Sequence, residues 1–185
     1  MDNTMNISDT ELTILVEQCR QENAQAQMKL YQLFAPRVFS SALRILKGQS
    51  EAEDAMQEAF LKAFTKIDTY SGKAPFEAWL RRIVINEAIS AQRKRKLRRY
   101  TPLESRELDD SSLRTSSEVE KMMVFEKVNQ ALAKLKENYR IALTLFLIEE
   151  YDYREISDCM EISYANSRTL ISRAKGELRN ELAKL

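Results

Sequence analysis

Apolar side chains recur along this chain at spacings of three and four, the repeat of a helix with one buried face. Ser8-Asp9-Thr10-Glu11 is a capping box, so a first helix is predicted from Asp9 to about Gln21, burying Leu12, Ile14, Leu15 and Val16. Asn23 is a good N-cap for a second helix through Met28, Leu30, Tyr31, Leu33 and Phe34. Pro36 is expected to bend or break it, after which Val38, Phe39, Ala42, Leu43 and Leu46 resume the repeat up to a Lys47-Gly48 stop. Ser50 to Glu53 reads as another capping box, opening a helix that ends near Lys66. Its core stripe is Met56, Ala59, Phe60, Ala63, Phe64 and Ile67, while Asp54, Gln57, Glu58, Leu61 and Thr65 lie on another side. Asp68 to Ala74 is a loop, and Pro75 sits as the first residue of the next helix. That helix clusters Phe76, Leu80, Ile83, Val84, Ala88 and Ala91 on one side and Trp79, Arg82, Asn86 and Arg93 on the other.

From Tyr100 to Ser117 the repeat dissolves into Ser, Pro, Asp and Glu, the composition of a flexible linker. The predicted organisation is therefore a helical domain over residues 8–99, a linker over 100–117 and a smaller helical domain over 118–185. The second domain reopens at a capping box, Ser117-Glu118-Val119-Glu120, followed by Met122, Phe125, Val128, Leu132 and Leu135 at helical spacing. Tyr139 to Ile148 is strongly apolar but too short for a membrane span, so it reads as a buried core helix. Two helices follow, about Tyr153 to Met160 and Tyr164 to Leu182, joined only by Glu161-Ile162-Ser163. A short helix, a tight turn and a longer helix with basic residues is a helix-turn-helix plan.

Composition agrees with an all-α fold. Three Gly and three Pro in 185 residues are too few for many strands joined by tight turns. There is no His, which removes the commonest general base and metal ligand. The two cysteines, Cys19 and Cys159, form no C-x-x-C pair and read as reduced thiols of a cytosolic protein. No apolar run reaches the roughly 18 residues of a membrane span, and no signal peptide precedes the first helix, so a soluble, cytoplasmic protein without direct membrane insertion is expected. No cofactor or metal site is expected. Glu51, Glu53, Asp54 and Glu58 do not converge on one face, and no second carboxylate helix accompanies them as a metal-dependent helical enzyme would need.

The net charge of +1 hides an uneven distribution. Between Arg81 and Arg99 there are eight basic residues (Arg81, Arg82, Arg93, Lys94, Arg95, Lys96, Arg98, Arg99) and one acid, Glu87. Such a block is an electrostatic footprint for a polyanion, although a basic tail can also simply solubilise a helix end. Trp79, Arg82, Asn86 and Arg93 on one stripe can stack on a base, contact phosphate and bond a base edge; equally, the indole can be core and the arginines ordinary surface. The Asp54 face can be plain solvated surface, with acids favoured near a helix N-terminus. Leu61 set among acids and amides suits a docking surface instead. On the last helix Ser167, Leu170, Ile171, Ala174 and Leu178 face the core, and Arg168, Thr169, Ser172, Arg173 and Gly176 face away, as a bundle helix or a major-groove reader would have it.

In order, these motifs are D-x-x-Q-E-x-F (Asp54 to Phe60), F-x-x-W-L-x-x-I-x-x-N (Phe76 to Asn86) with a basic end, a linker, and Y-x-E-I (Tyr153 to Ile156) opening the helix-turn-helix. Together they resemble the extracytoplasmic-function (ECF) group of the sigma-70 family, over roughly residues 12 to 182. The resemblance implies a non-enzymatic factor that binds core RNA polymerase at its clamp helices and flap, directs it to promoter DNA and helps separate the strands. It implies that Asp54, Gln57, Glu58 and Leu61 dock on the clamp helices. Tyr70 and Lys73 in the loop, with Trp79, Arg82, Asn86 and Arg93, would take the −10 element. Asn166, Arg168, Thr169, Ser172 and Arg173, within a helix-turn-helix over residues 153–175, would read the −35 element. An anti-sigma factor is an implied partner, and no further C-terminal sensor domain is expected. Three positions depart from the family pattern: Glu161 where Gly is usual in the turn, Ser167 for the usual Val, and Leu170 for a frequent Arg. The competing reading is a stand-alone helix-turn-helix regulator that ignores polymerase.

Overall fold

Ser8 starts the first helix as its pattern predicts. Its hydroxyl accepts from the Glu11 backbone N–H at 3.2 Å, and the Glu11 carboxylate accepts from the Ser8 N–H at 3.2 Å. The computed structural model describes residues 7–98 and 127–185, and every regular element among them is helical. The chain divides into two compact units, Met1–Pro102 and Leu103–Leu185. The expected linker and the expected helix start at Ser117 lie outside the described residues.

Unit 1 contains α1 (Asp9–Arg20), α2 (Ala24–Leu46), α3 (Gln49–Thr65), a 3-10 turn (Ile67–Thr69) and α4 (Phe76–Arg98). Helices α2, α3 and α4 pack on one another pairwise, and α1 covers α2. Leu30, Val38, Ile45, Ala52, Ala59, Leu80, Val84 and Ile85 are fully buried between them. Every methylene there withdrawn from water contributes about 0.8 kcal/mol.

Several local expectations are corrected. Helix α2 runs unbroken through Pro36. Pro36 and Gln32 are both exposed, so the carbonyl that loses its N–H partner faces water, while Phe34, Ala35 and Val38 stay packed. Ile14 is 52% exposed and Leu12 only half-buried; Leu15, Val16 and Cys19 form the buried face of α1. Burial raises the Cys19 thiol to about 11, which keeps it protonated and inert. The stop at Lys47-Gly48 is real, but Lys47, not the glycine, takes the left-handed conformation (φ 64°). Gly48 is extended and acts as the N-cap of α3, so Ser50 lies inside the first turn and Glu53 beyond it, and the two make no capping box. A Cβ on Gly48 would strike the Glu51 carboxylate, which pairs with Arg95 at 2.9 Å. Pro75 stands just before α4, its carbonyl accepting from the Ala78 and Trp79 N–H groups. The buried face of α4 is Phe76, Leu80, Val84, Ile85, Ala88, Ile89 and Gln92; Ile83 and Ala91 are only half-buried.

Unit 2 contains α5 (described over residues 127–134), α6 (Glu137–Leu147), α7 (Tyr153–Met160) and α8 (Tyr164–Leu182). Ala131, Leu132, Leu135, Leu143, Ala174 and Leu178 form its core, with Ile141, Leu145, Ile156 and Ile171 also buried. Helix α7 carries a capping box that the sequence pattern left unread: Asp152 accepts from Arg154 and Glu155 N–H at 2.7 Å, and Glu155 accepts from Asp152 N–H at 2.9 Å. The Glu of Y-x-E-I is thus a capping residue.

Glu161 ends α7 at φ 53°, ψ 44°, and the Ile162 N–H closes the turn on the Ser157 carbonyl at 3.0 Å. This is the left-handed site that glycine fills without a Cβ clash. Glu161→Gly is therefore expected to stabilise unit 2 by roughly 0.5–1 kcal/mol. In thermal unfolding of the whole chain the corresponding transition should rise by about 2–6 °C. An unchanged or lower Tm would mean that the glutamate side chain recovers the strain.

Candidate functional site

Three surfaces carry the predicted residues. The first is the outer face of α3. Asp54, Gln57, Glu58, Leu61 and Thr65 are all exposed and recur at helical spacing. Leu61 is 62% exposed, the most exposed of the large apolar side chains among the described residues. Asp54, Gln57 and Glu58 have no hydrogen-bond or ion-pair partner among the described residues. The opposite face, Ala52, Ala55, Met56, Ala59, Phe60 and Ala63, is buried. Small alanines let α3 lie close on its neighbours, so the acidic face rests on a rigid support. Lys62 bonds Glu87 of α4 at 2.7 Å and ties α3 down from its flank.

The second surface joins the loop after α3 to α4. Phe76, at 1% exposure, is the pivot of an aromatic cluster. Its ring lies 5.0 Å from Phe34, 5.2 Å edge-on from Tyr70 and 5.4 Å from Trp79. Tyr70 and Trp79 are themselves 5.4 Å apart. Trp79 is thus half-buried beneath the loop, between the two sequence readings of core and open platform. The Tyr70 hydroxyl donates to Ala74 O at 3.0 Å, closing the loop on itself. Burial, with the Asp9 carboxylate adding to it, raises the Tyr70 phenol, so that proton stays in place. Arg20 of α1 holds the loop's other side, donating to Tyr70 O at 3.0 Å and lying 3.7 Å from Asp68. Lys73, Arg82 and Asn86 are exposed and Arg93 half-buried.

The basic block is not uniform. Arg81 pairs with Glu77, which also meets Arg37 at 3.5 Å. Arg95 bonds Glu51 at 2.9 Å and the last carbonyl of α2, Leu46 O, at 3.3 Å. Arg37 and Arg95 thus tie helices to one another, while Arg81 braces Glu77 within α4; Arg95 also caps a helix C-terminus, where positive charge is favoured. The charge presented outward among the described residues comes from Arg82, Lys94 and Lys96, with Lys73 on the loop. Sequence counting cannot make that division for Arg95, whose partners Leu46 and Glu51 lie 49 and 44 residues away, whereas the Arg81–Glu77 pair is a local contact four residues apart on α4.

The third surface is α8. Asn166, Arg168, Thr169, Ser172 and Arg173 are all exposed, while Ser167, Ile171, Ala174 and Leu178 are buried. Leu170 is half-buried. The Thr169 hydroxyl donates back to Ala165 O at 3.0 Å, leaving its methyl and lone pairs outward. Ser163 caps the helix through the Asn166 N–H at 3.2 Å. Ser167 has a role its type did not suggest. Its hydroxyl, fully buried, lies 2.8 Å from both Tyr153 O and Tyr164 O, sharing one proton between α7 and α8. Tyr164, missed by the helical projection, is 50% exposed at the first position of α8. Its signal was position: the residue just after a cap stands at the exposed leading end of a helix.

An acidic docking face, an aromatic loop beside scattered cations and a helix-turn-helix can serve to bind protein and nucleic acid. Among the described residues no helix is long and apolar enough to cross a membrane. Comparison with known proteins finds matches to both units of the chain. A family model described as Sigma-70 region 2 matches residues 30–98, and one described as Sigma-70, region 4 matches residues 125–178. The ECF RNA polymerase sigma factor SigM of Bacillus subtilis is 31% identical over 153 residues, spanning 82% of this chain and 91% of SigM. SigW of the same organism is 27% identical over 180 residues, 92% of this chain and 96% of SigW. Among solved structures, the sigma factor RpoE bound to the anti-sigma factor NepR from Bartonella quintana is similar with a TM-score of 0.58 and 22% identity, covering 84% of this chain and 96% of that one. CnrH in complex with the cytosolic domain of CnrY has a TM-score of 0.52 at 22% identity, covering 92% and 96%.

Proposed function

The chain belongs to the ECF group of the sigma-70 family, the factors that direct RNA polymerase to promoters, and from that premise we propose how its surfaces divide the work. The α3 face of Asp54, Gln57, Glu58 and Leu61 docks on a basic, partly apolar surface of core polymerase, the clamp helices. The observation that carries this is an exposed leucine among acids and an amide that no group satisfies among the described residues. Tyr70, Lys73, Trp79, Arg82, Asn86 and Arg93 take the −10 element. Bases released by strand opening need stacking surfaces and polar edges to stop them re-pairing. The aromatic cluster makes the loop stiff enough to offer both. Asn166, Arg168, Thr169, Ser172 and Arg173 read the −35 element as paired DNA, with α8 in the major groove.

Residues 8–99 and 118–185 act as separate domains on a linker over 100–117, and the second also touches the flap. Tethering both to one polymerase raises the effective concentration of each, so weak separate contacts give firm promoter binding. The chain itself makes or breaks no bonds and works where the polymerase works, in the cytoplasm. A protein partner of the anti-sigma kind, like the NepR bound in one similar structure, would hold it inactive. A stand-alone regulator is not favoured: it leaves the α3 face and the region 2 match over residues 30–98 without a purpose.

The deciding experiment is reconstitution with core RNA polymerase and run-off transcription on a genomic library. A defined set of new start sites is expected; unchanged initiation would overturn the reading. Two variants separate the DNA surfaces. Asn86→Ala should slow strand opening, followed by permanganate reactivity of unpaired thymines, by about tenfold, with duplex binding nearly intact. Arg173→Ala should flatten −35 selectivity by about five- to a hundredfold while core binding is unchanged.

A further inference from the structure

The leading end of α8 holds an aromatic arrangement that the −35 residues named above do not use. Tyr164 is the first residue of the helix, directly after the cap Ser163. Half of it is exposed, yet it is not loose: its ring meets Tyr153 edge-on at 6.4 Å and 86°. Tyr153 is the first residue of α7 and stacks on Phe146 of α6 at 5.3 Å. Phe146 is held in turn by the Lys175 ammonium, 4.0 Å from its ring centre. Beneath the pair, the Ser167 hydroxyl ties Tyr153 O to Tyr164 O, so the starts of both helices are fixed together. An exposed ring supported on one side by a three-member column, at a fixed angle to a helix start, is pre-organised for contact.

In a helix-turn-helix the first helix crosses the DNA backbone and the N-terminal residues of the second meet base edges. Tyr164 stands one helical turn before Arg168 and therefore shares its side of α8. Its neighbour Ala165 is too short to reach beyond the ring. A phenol ring offers apolar edge carbons where a helix usually carries a polar side chain. The major-groove feature that matches such an edge is the 5-methyl group of thymine.

We propose that Tyr164 is a specificity-determining residue of this factor, its ring reading the 5-methyl of one thymine at an end of the −35 element, with Tyr153 as the positioning residue that holds it. This rests on the functional reading above. The hydroxyl of Tyr164 has no part in the preference, and the ring does.

The test uses the full chain with core polymerase and a promoter library randomised over the −35 element. The wild type should select thymine at one position, on one strand, that Tyr164→Ala no longer selects; Tyr164→Phe should keep it. On the selected promoter, replacing that thymine by deoxyuridine removes only the methyl. It should weaken complex formation by about three- to fivefold for the wild type and for Tyr164→Phe, and not at all for Tyr164→Ala. Loss of general fold or core binding would move every position together and could not produce this single-position coupling. If the wild type selects promoters but its thymine preferences survive Tyr164→Ala, or Phe relaxes them as Ala does, the inference fails and the functional reading stands. If the wild type selects no promoter, the functional reading falls and takes the inference with it.

Discussion

Asp54→Lys combined with Leu61→Asp should remove the chain from core RNA polymerase while leaving it folded. Both side chains are exposed on α3, and Asp54 is without a partner among the described residues, so neither change removes an internal contact. Surface substitutions of this kind usually shift stability by under about 0.5 kcal/mol. At an interface the same changes act differently. A central apolar anchor is worth about 2 kcal/mol or more, and reversing a charge against a basic partner adds like-charge repulsion of similar size. Together they should weaken binding about a hundred- to a thousandfold, measured by competition for core enzyme with labelled wild-type chain. Circular dichroism and Tm should stay at wild-type values. Wild-type affinity in a folded double variant would refute the docking face. Transcription should fail in parallel, and binding of isolated duplex DNA by α8 should not, because Arg168, Thr169, Ser172 and Arg173 are untouched.

That face is legible in the sequence because it depends on one helix alone. Spacing put Asp54, Gln57, Glu58 and Leu61 on one side, and burial of Met56, Ala59, Phe60 and Ala63 on the other followed from the same repeat. The bounds of α7 and α8 were equally legible from the three-residue break at Glu161-Ile162-Ser163, although the local caps Asp152 and Ser163 that fix them were not read. What failed depends on which of several available partners a residue takes in the fold. Pro36 breaks an isolated helix, but α3 and α4 packed against α2 hold this one together. Ser50 could have been a cap had the chain not restarted its helix at Gln49 straight after the left-handed Lys47. Arg81 and Arg95 counted toward a nucleic-acid patch until Glu77 and Glu51 were seen to claim them. Ser167 stood out only as a departure from the family's usual Val; in the fold its buried hydroxyl couples two helix starts.

Trp79 illustrates the same limit, and it supplies the probe for the largest effect on stability. A projection could only ask whether it was core or surface. In the fold it is half-buried in a cluster whose centre is Phe76. Phe76→Ala removes a ring that is 1% exposed and touches Phe34, Tyr70 and Trp79 at once. The surrounding rings belong to α2, the loop and α4, so no single side chain can close the gap. The cost should be about 3–5 kcal/mol, a large share of the 5–15 kcal/mol that keeps a domain folded. Trp79 is the only tryptophan in the chain, so its emission reports this cluster without interference. Denaturant titration of Phe76→Ala should show an early transition with red-shifted Trp79 fluorescence. Phe76→Leu, which keeps most of the volume, should lose only about 1–2 kcal/mol. The loop carrying Tyr70 and Lys73 rests on this ring, so Phe76→Leu should also slow strand opening more than it weakens core binding, because α3 is supported by Ala52, Ala59 and Ala63 elsewhere. Equal losses in both would mean that the loop and the docking face are one mechanical unit, and the division of labour between α3 and the aromatic loop would have to be withdrawn.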